Sequence, residues 1–375
     1  MSDEQRYTGL IERYRQWLPL AATTRAISLG EGATPLIRLH NIEQDLGGEH
    51  VLYVKFEGLN PTGSFKDRGM TVAVTQAVAE GSRAIICAST GNTSAAAAAY
   101  AARAGITAFV IIPEGKIALG KLAQAMAHGA VVMQIQGNFD LGMRLVREVA
   151  EHAPVAIVNS INPYRLQGQK TAAFEIVEAL GRAPDYHCLP VGNAGNITAH
   201  WLGYSELAGE QLPALIPPGV DYPAPRRLIT KRPHMLGFQA AGSAPFVARE
   251  MVDEPETVAT AIRIGHPQSW QYAWSAQQES EGWFGAFEDA QILETQRYLA
   301  AREGVFCEPA SAASLCGALA EIRDGRIRPG STVVCTLTGH GLKDPDIAIR
   351  ELSEPVLNVP AQLDAIAHAI QTRLA

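Results

Sequence analysis

Four short segments carry side chains whose types and spacing could do chemistry together. The first runs Asn60-Pro61-Thr62-Gly63-Ser64-Phe65-Lys66-Asp67-Arg68-Gly69. Asn-Pro and Thr-Gly mark a turn, after which Met70, Val74, Ala77 and Val78 recur at helical spacing. That places Lys66 at or near a helix N-terminus, with Ser64 as the expected cap. The helix dipole disfavours a cation there and lowers the amine pKa. A lysine that must attack a carbonyl as a neutral amine needs that setting. Position alone leaves an ordinary exposed lysine equally open.

The second segment is Pro190-Val191-Gly192-Asn193-Ala194-Gly195-Asn196-Ile197. A strand ends, a loop of small residues follows, and a helix opens over 197–204. Backbone N–H groups in such a loop, together with the helix N-terminus, bind phosphate. The loop lacks the Gly-Lys-Ser/Thr of a nucleotide triphosphatase and the G-x-G-x-x-G of a dinucleotide fold. Taken alone, a G-x-x-G loop is more often a plain turn.

The third is Ser89-Thr90-Gly91-Asn92-Thr93-Ser94, whose hydroxyls and amide suit a small carboxylate or a ring oxygen. For any single hydroxyl here an N-cap is the simpler reading. The fourth is Thr336-Leu337-Thr338-Gly339-His340-Gly341, at a strand's C-terminal end, where open α/β sheets bind ligands. His340 could be catalytic, although a loop histidine is more often structural. A lysine, a phosphate cup, an oxygen-binding loop and a strand-end hydroxyl together meet the needs of one cofactor, pyridoxal phosphate.

These segments must be positioned by regular elements. Apolar runs at 84–88, 108–112 and 131–135 predict strands, and 94–103, 121–128 and 139–151 predict helices between and after them. The alternation predicts an α/β fold with mostly parallel, twisted sheets covered by helices on both faces. A second such region begins near Tyr186, with a strand before Gly192, helices over 287–302 and 312–324, and a strand over 332–337. Two domains with the active site between them follow: a larger cofactor-binding one from 1–58 and 170–375, and a smaller inserted one from 59–169. Residues 207–234 hold Pro213, Pro217, Pro218, Pro223, Pro225 and Pro233, which disfavours helix and central strand and predicts a surface excursion.

The 375 residues are 47% hydrophobic and 18% charged, which excludes wholesale disorder. The net charge of -7 argues against a duplex nucleic-acid surface. Cys87, Cys188, Cys307, Cys316 and Cys335 are scattered and odd in number, so neither a disulfide framework nor a metal site is expected. The first 25 residues carry Asp3, Glu4, Arg6, Glu12, Arg13 and Arg15 with no signal-peptide core. No apolar run is long enough for a membrane span. A cytoplasmic enzyme is expected.

The segments 60–70, 89–94, Ile161-Asn162-Pro163-Tyr164-Arg165, 190–196, Gly237-Phe238-Gln239-Ala240-Ala241-Gly242 and 337–344 resemble the threonine synthases. Those are pyridoxal-phosphate enzymes of fold type II, the tryptophan-synthase-β-like group. The likeness runs from about Gly30 to about Pro345, excepting 207–234.

The resemblance implies that Lys66 holds the cofactor covalently and later moves protons. It implies that Gly192, Asn193, Ala194, Gly195 and Asn196 hold the cofactor phosphate, Asn92 the 3′-oxygen, and Thr338 the pyridine nitrogen. The implied substrate is O-phospho-L-homoserine, converted with water to L-threonine and phosphate, the last step of threonine biosynthesis. Lys116, Asn159, Ser160 and Arg165 match positions that grip the substrate phosphate, Arg165 as a fork and Lys116 as a mobile point charge. Ser89, Thr90 and Thr93 are assigned to the substrate carboxylate. A homodimer is the family expectation.

Three departures stand out: the length of the 207–234 excursion, Gln167 in place of an acid, and His266 after Gly265. Two rivals keep the same cofactor set. One is a threonine or serine dehydratase; the other is a non-catalytic metabolite sensor.

Overall fold

The computed structural model describes residues 6–113, 119–136, 139–160, 162–345, 347 and 357–374. They fall into two units, 1–344 and 345–375. In the second, the helix Leu363–Leu374 places Leu363, Ile366, Ile370 and Leu374 on one exposed face.

Among the described residues the first unit holds two sheets. Its strands are β1 (Leu36–Arg38), β2 (Val51–Phe56), β3 (Ala84–Ala88), β4 (Thr107–Pro113), β5 (Val131–Ile135), β6 (Val155–Ile157), β7 (Tyr186–Pro190), β8 (His234–Ala240), β9 (Trp283–Phe287) and β10 (Thr332–Leu337). The six-stranded sheet has the order β1-β2-β10-β7-β8-β9 and the four-stranded sheet β5-β4-β3-β6. Every pairing is parallel except β1 with β2, at one edge. Parallel strands covered on both faces need continuous apolar runs rather than alternation. Ala-Ile-Ile-Cys-Ala in β3 and Tyr-His-Cys-Leu-Pro in β7 are buried at every position.

The expected strands at 84–88, 131–135 and 332–337 lie at those positions. The helix expected over 287–302 runs Asp289–Glu303, because Phe287 closes β9. The helix expected over 312–324 begins earlier, at Pro309, whose fixed φ suits a first helical position.

A buried ion cluster ties the strand ends to the helices below the site. Arg68 bonds Glu57 and Glu175, each at 2.6 Å, and Lys55 reaches Glu175 at 2.6 Å. Burial pushes the Glu175 carboxyl up, but Arg68 and Lys55 outweigh it and hold it at about 2. Two cations and two anions make a neutral set, which is how such charges stand removal from water.

The proline-rich excursion is anchored rather than loose. Buried Lys170 donates to Trp17 O at 2.7 Å, Gln167 Oε1 at 2.7 Å and Glu206 at 2.9 Å. The Tyr222 hydroxyl joins the same group, against Glu206 and Gln167. Gln167 Nε2 also donates to Leu215 O at 3.0 Å. A neutral amide at 167 serves the excursion with its donor and Lys170 with its acceptor.

Candidate active site

The chemistry-bearing segments all leave the C-terminal ends of parallel strands. The chain leaving β2 leads through a turn to the helix Lys66–Ala79. Phe65, not Ser64, occupies the cap position and gives no side-chain cap bond. Ser64 Oγ accepts only a long 3.4 Å bond from the Lys66 N–H. The turn is instead stitched to the end of β10: Phe65 N donates to Thr338 O at 2.9 Å, and His340 N to Gly63 O at 2.9 Å. The first and fourth segments are therefore one structure.

Lys66 Nζ lies 4.2 Å from the Phe65 ring centre. Burial, and then the positive charge of Arg165, pull its amine down to about 7, against the opposing field of Glu308. An amine in that range is largely neutral at physiological pH, as a carbonyl-attacking lysine requires.

The loop after β7 forms a cup. Ala194 adopts a left-handed conformation, φ 63°, immediately before the helix Gly195–Leu207. That turn points successive N–H groups to one side. A Cβ on Gly192 would lie 3.0 Å from Ile262 Cα and 3.3 Å from Ala261 O, so any side chain there would press on the neighbouring main chain. Asn196 Nδ2 is buried with no partner among the described residues. The Asn193 carbonyl accepts from Ser269 N at 3.1 Å, which ties the cup to the chain beside it. An unpaired buried donor beside a helix N-terminus is what a bound phosphate would satisfy.

The loop after β3 leads to the helix Asn92–Ala104, capped by Gly91 without any side-chain cap bond. The simple N-cap reading of Ser89, Thr90 and Thr93 therefore does not hold. Ser89 Oγ accepts from Gly91 N at 3.2 Å, and Ser94 Oγ donates back to Gly91 O at 2.7 Å. The first-turn N–H groups stay available to an anion.

Arg165, on the helix Pro163–Gln169, is 1% exposed. It donates to Val158 O at 3.2 Å, while its Nε has no partner among the described residues. Burial pulls its guanidinium down to about 10. Among the described residues no carboxylate pairs with it. Asn159 spends its amide on Ala88, accepting from N and donating to O, each at 3.0 Å, which leaves one amide hydrogen. Ser160 is partly exposed. Lys116 lies outside the described residues. His266 pairs with Asp253 at the exposed surface, 2.9 Å.

Thr338 Oγ1 lies 2.8 Å from Ser311 Oγ. Neither Ser311 nor the neighbouring Glu308 was expected from sequence. Glu308 receives the Asn92 amide at 3.1 Å and the Thr338 hydroxyl at 3.4 Å. The available signal was Glu308-Pro309 at a helix start, which reads as an unremarkable cap.

The family described as "Pyridoxal-phosphate dependent enzyme" matches residues 27–339. The threonine synthase of Synechocystis sp. is 54% identical over 370 residues, covering 97% of this chain and 91% of that protein. The threonine synthase of Mycobacterium tuberculosis is 56% identical over 364 residues, covering 97% and 95%. Among solved structures, a threonine deaminase from T.th. superposes with a TM-score of 0.67 at 23% identity, covering 88% of this chain and 98% of that one. An O-ureido-L-serine synthase gives 0.71 at 19%, covering 88% and 97%. At those identities the structural likeness speaks to fold alone.

Proposed function

The chain belongs to the pyridoxal-phosphate dependent enzymes, within them to the threonine synthases, and we propose on that premise that it converts O-phospho-L-homoserine and water to L-threonine and phosphate. It is a pyridoxal-phosphate-dependent carbon–oxygen lyase of threonine biosynthesis.

The cofactor fits the residues present. Lys66 supplies the near-neutral amine, and the 192–196 cup supplies the left-handed turn and the unpaired Asn196 donor. Asn92 takes the 3′-oxygen and Thr338 the ring nitrogen. When bound, the cofactor serves as an electron sink that acidifies the substrate's Cα–H and then its Cβ–H.

The observation that carries the substrate assignment is Arg165. Among the described residues this buried guanidinium has an unpaired Nε and no carboxylate beside it, and so no counter-anion. Its charge nonetheless reaches Lys66. The substrate's γ-phosphate supplies that anion, with Lys116, Asn159 and Ser160 as further donors. A dehydratase acting on a neutral hydroxyl would leave Arg165 uncompensated. Ser89, Thr90 and Thr93 receive the substrate carboxylate at the uncapped N-terminus of their helix. Lys66 takes the Cα proton and returns it, a role worth about 10²–10⁴-fold in rate. The segment 59–169 is assigned as the smaller domain, and the protein as a cytoplasmic homodimer.

Incubation of the purified protein with O-phospho-L-homoserine tests this. Phosphate and threonine should appear in equal amounts. 2-Oxobutanoate in place of threonine would favour the dehydratase, and no turnover by a coloured protein would favour the sensor.

A further inference from the structure

We propose that Glu308 is a positioning residue of this site: its buried carboxylate orients the Asn92 amide and the Thr338 hydroxyl and stands as counter-charge to Lys66. The inference rests on the function proposed above and concerns a residue that function does not use.

Glu308 sits at the cap position of the helix Pro309–Arg323, where an acid would ordinarily accept from the helix's own N–H groups. It makes no such bond. Its carboxylate turns the other way and accepts from Asn92 Nδ2 at 3.1 and 3.3 Å. Asn92 comes from the end of β3 in the four-stranded sheet, so this contact joins the two sheets at the site.

A second chain of bonds ends on the same acid. Gly339 N donates to Ser311 Oγ at 2.9 Å, Ser311 Oγ lies 2.8 Å from Thr338 Oγ1, and Thr338 Oγ1 faces Glu308 at a long 3.4 Å. The backbone is shaped around the carboxylate as well. Glu308 N donates to Gly339 O at 3.0 Å, and a Cβ on Gly339 would lie 2.5 Å from the Glu308 carboxyl carbon. Glycine at 339 leaves the space the acid fills.

The two groups Glu308 holds are the two assigned to the cofactor's ring oxygen and ring nitrogen. An amide turns by half a revolution at little intrinsic cost, and a hydroxyl rotates freely. Glu308 fixes the amide at 3.1 Å before anything binds, and together with the shorter Ser311 contact it narrows the hydroxyl's choice. The charged and titratable groups facing Glu308 are Lys66, Lys343, Asp344 and the Cys307 thiol next to it. Burial pushes its carboxyl up, while Asn92, Lys343 and Lys66 oppose the rise. A carboxylate here favours whichever form of the Lys66 nitrogen is protonated.

The test compares Glu308→Gln and Glu308→Asp with the unmodified protein, all loaded with pyridoxal phosphate. The readouts are the pH midpoint of the cofactor's long-wavelength absorbance, the cofactor dissociation constant, and the melting temperature of the cofactor-free proteins. Glu308→Gln keeps the size and loses the charge, so its midpoint should fall by about 1–3 pH units. Its cofactor affinity should weaken about tenfold. Glu308→Asp keeps the charge and should titrate as the unmodified protein does. A Glu308→Gln midpoint and affinity equal to those of the unmodified protein overturn the proposal. So does a Glu308→Asp midpoint displaced as far as the amide's, because charge would then be irrelevant. An unmodified protein that lacks the absorbance overturns the function itself, which separates that failure from a failure of Glu308 alone.

Discussion

Gly168 meets the backbone at Gly69: a Cβ built on Gly168 would lie 3.0 Å from Gly69 Cα and 1.8 Å from Arg68 O. A Cβ on Gly69 would in turn lie 2.9 Å from Arg165 O. The helices Lys66–Ala79 and Pro163–Gln169 therefore touch backbone to backbone. That close approach brings Lys66 within the field of Arg165. Replacing Gly168 by alanine must push the helices apart, since the obstructing atoms are main chain. Gly168→Ala should cost about 1–3 kcal/mol or more, read by urea denaturation, and should raise the Lys66 amine pKa by weakening the Arg165 field. Unchanged stability would contradict this packing.

Arg165 is expected to act on the substrate rather than on the cofactor. Arg165→Lys keeps a positive charge but loses the planar fork. It should lower kcat/KM for O-phospho-L-homoserine by about 10–10²-fold, the loss expected when hydrogen bonds to a charged group worth about 1.5–3 kcal/mol are given up. The cofactor absorbance should be retained. Steady-state kinetics beside a spectrum checks both; loss of the colour would move Arg165 to the cofactor.

Lys66 should react as a neutral amine far below the usual lysine range. In the cofactor-free protein its modification by an amine-specific reagent should rise with pH around a midpoint of about 7. Mapping the modified peptide across a pH series checks this. Lys66→Ala should abolish the long-wavelength absorbance while leaving the fold in place.

The ion cluster under the site makes stability depend on acid. Glu175 has its folded-state carboxyl held at about 2, below the ordinary value of 4.5. The stability it contributes is present in full above 4.5 and is lost as pH falls from there towards 2. Glu175→Gln leaves Arg68 and Lys55 short of a counter-charge and should cost about 3–5 kcal/mol. Thermal melting at neutral pH measures the cost, and melting down the acid limb measures the lost pH dependence.

Strands of the parallel core were legible because burial on both faces writes them as unbroken apolar runs, as at 84–88 and 108–112. β9 was not, since Trp283-Phe284-Gly285-Ala286-Phe287 owes its extension to pairing with β8, a long-range partner. The loops after β3, β7 and β10 were legible in kind, because small residues and hydroxyls at strand ends have few other uses there. Their joining was not. The bond from Phe65 N to Thr338 O and the bond from Asn92 to Glu308 link residues more than 200 positions apart. Local periodicity carries no trace of such contacts. Ser64 failed as a cap because the turn is held otherwise: Asp67 accepts from Thr62 N and Oγ1 within it, and the end of β10 bonds it through Thr338 and His340.

Carrying out the reaction in ¹⁸O-labelled water tests the central claim most directly. A lyase that expels the γ-phosphate and adds water at Cβ cleaves the carbon–oxygen bond. The label should appear in the threonine hydroxyl, and the released phosphate should carry none. Label in the phosphate with homoserine as the co-product would mean hydrolysis at phosphorus, and would contradict the account.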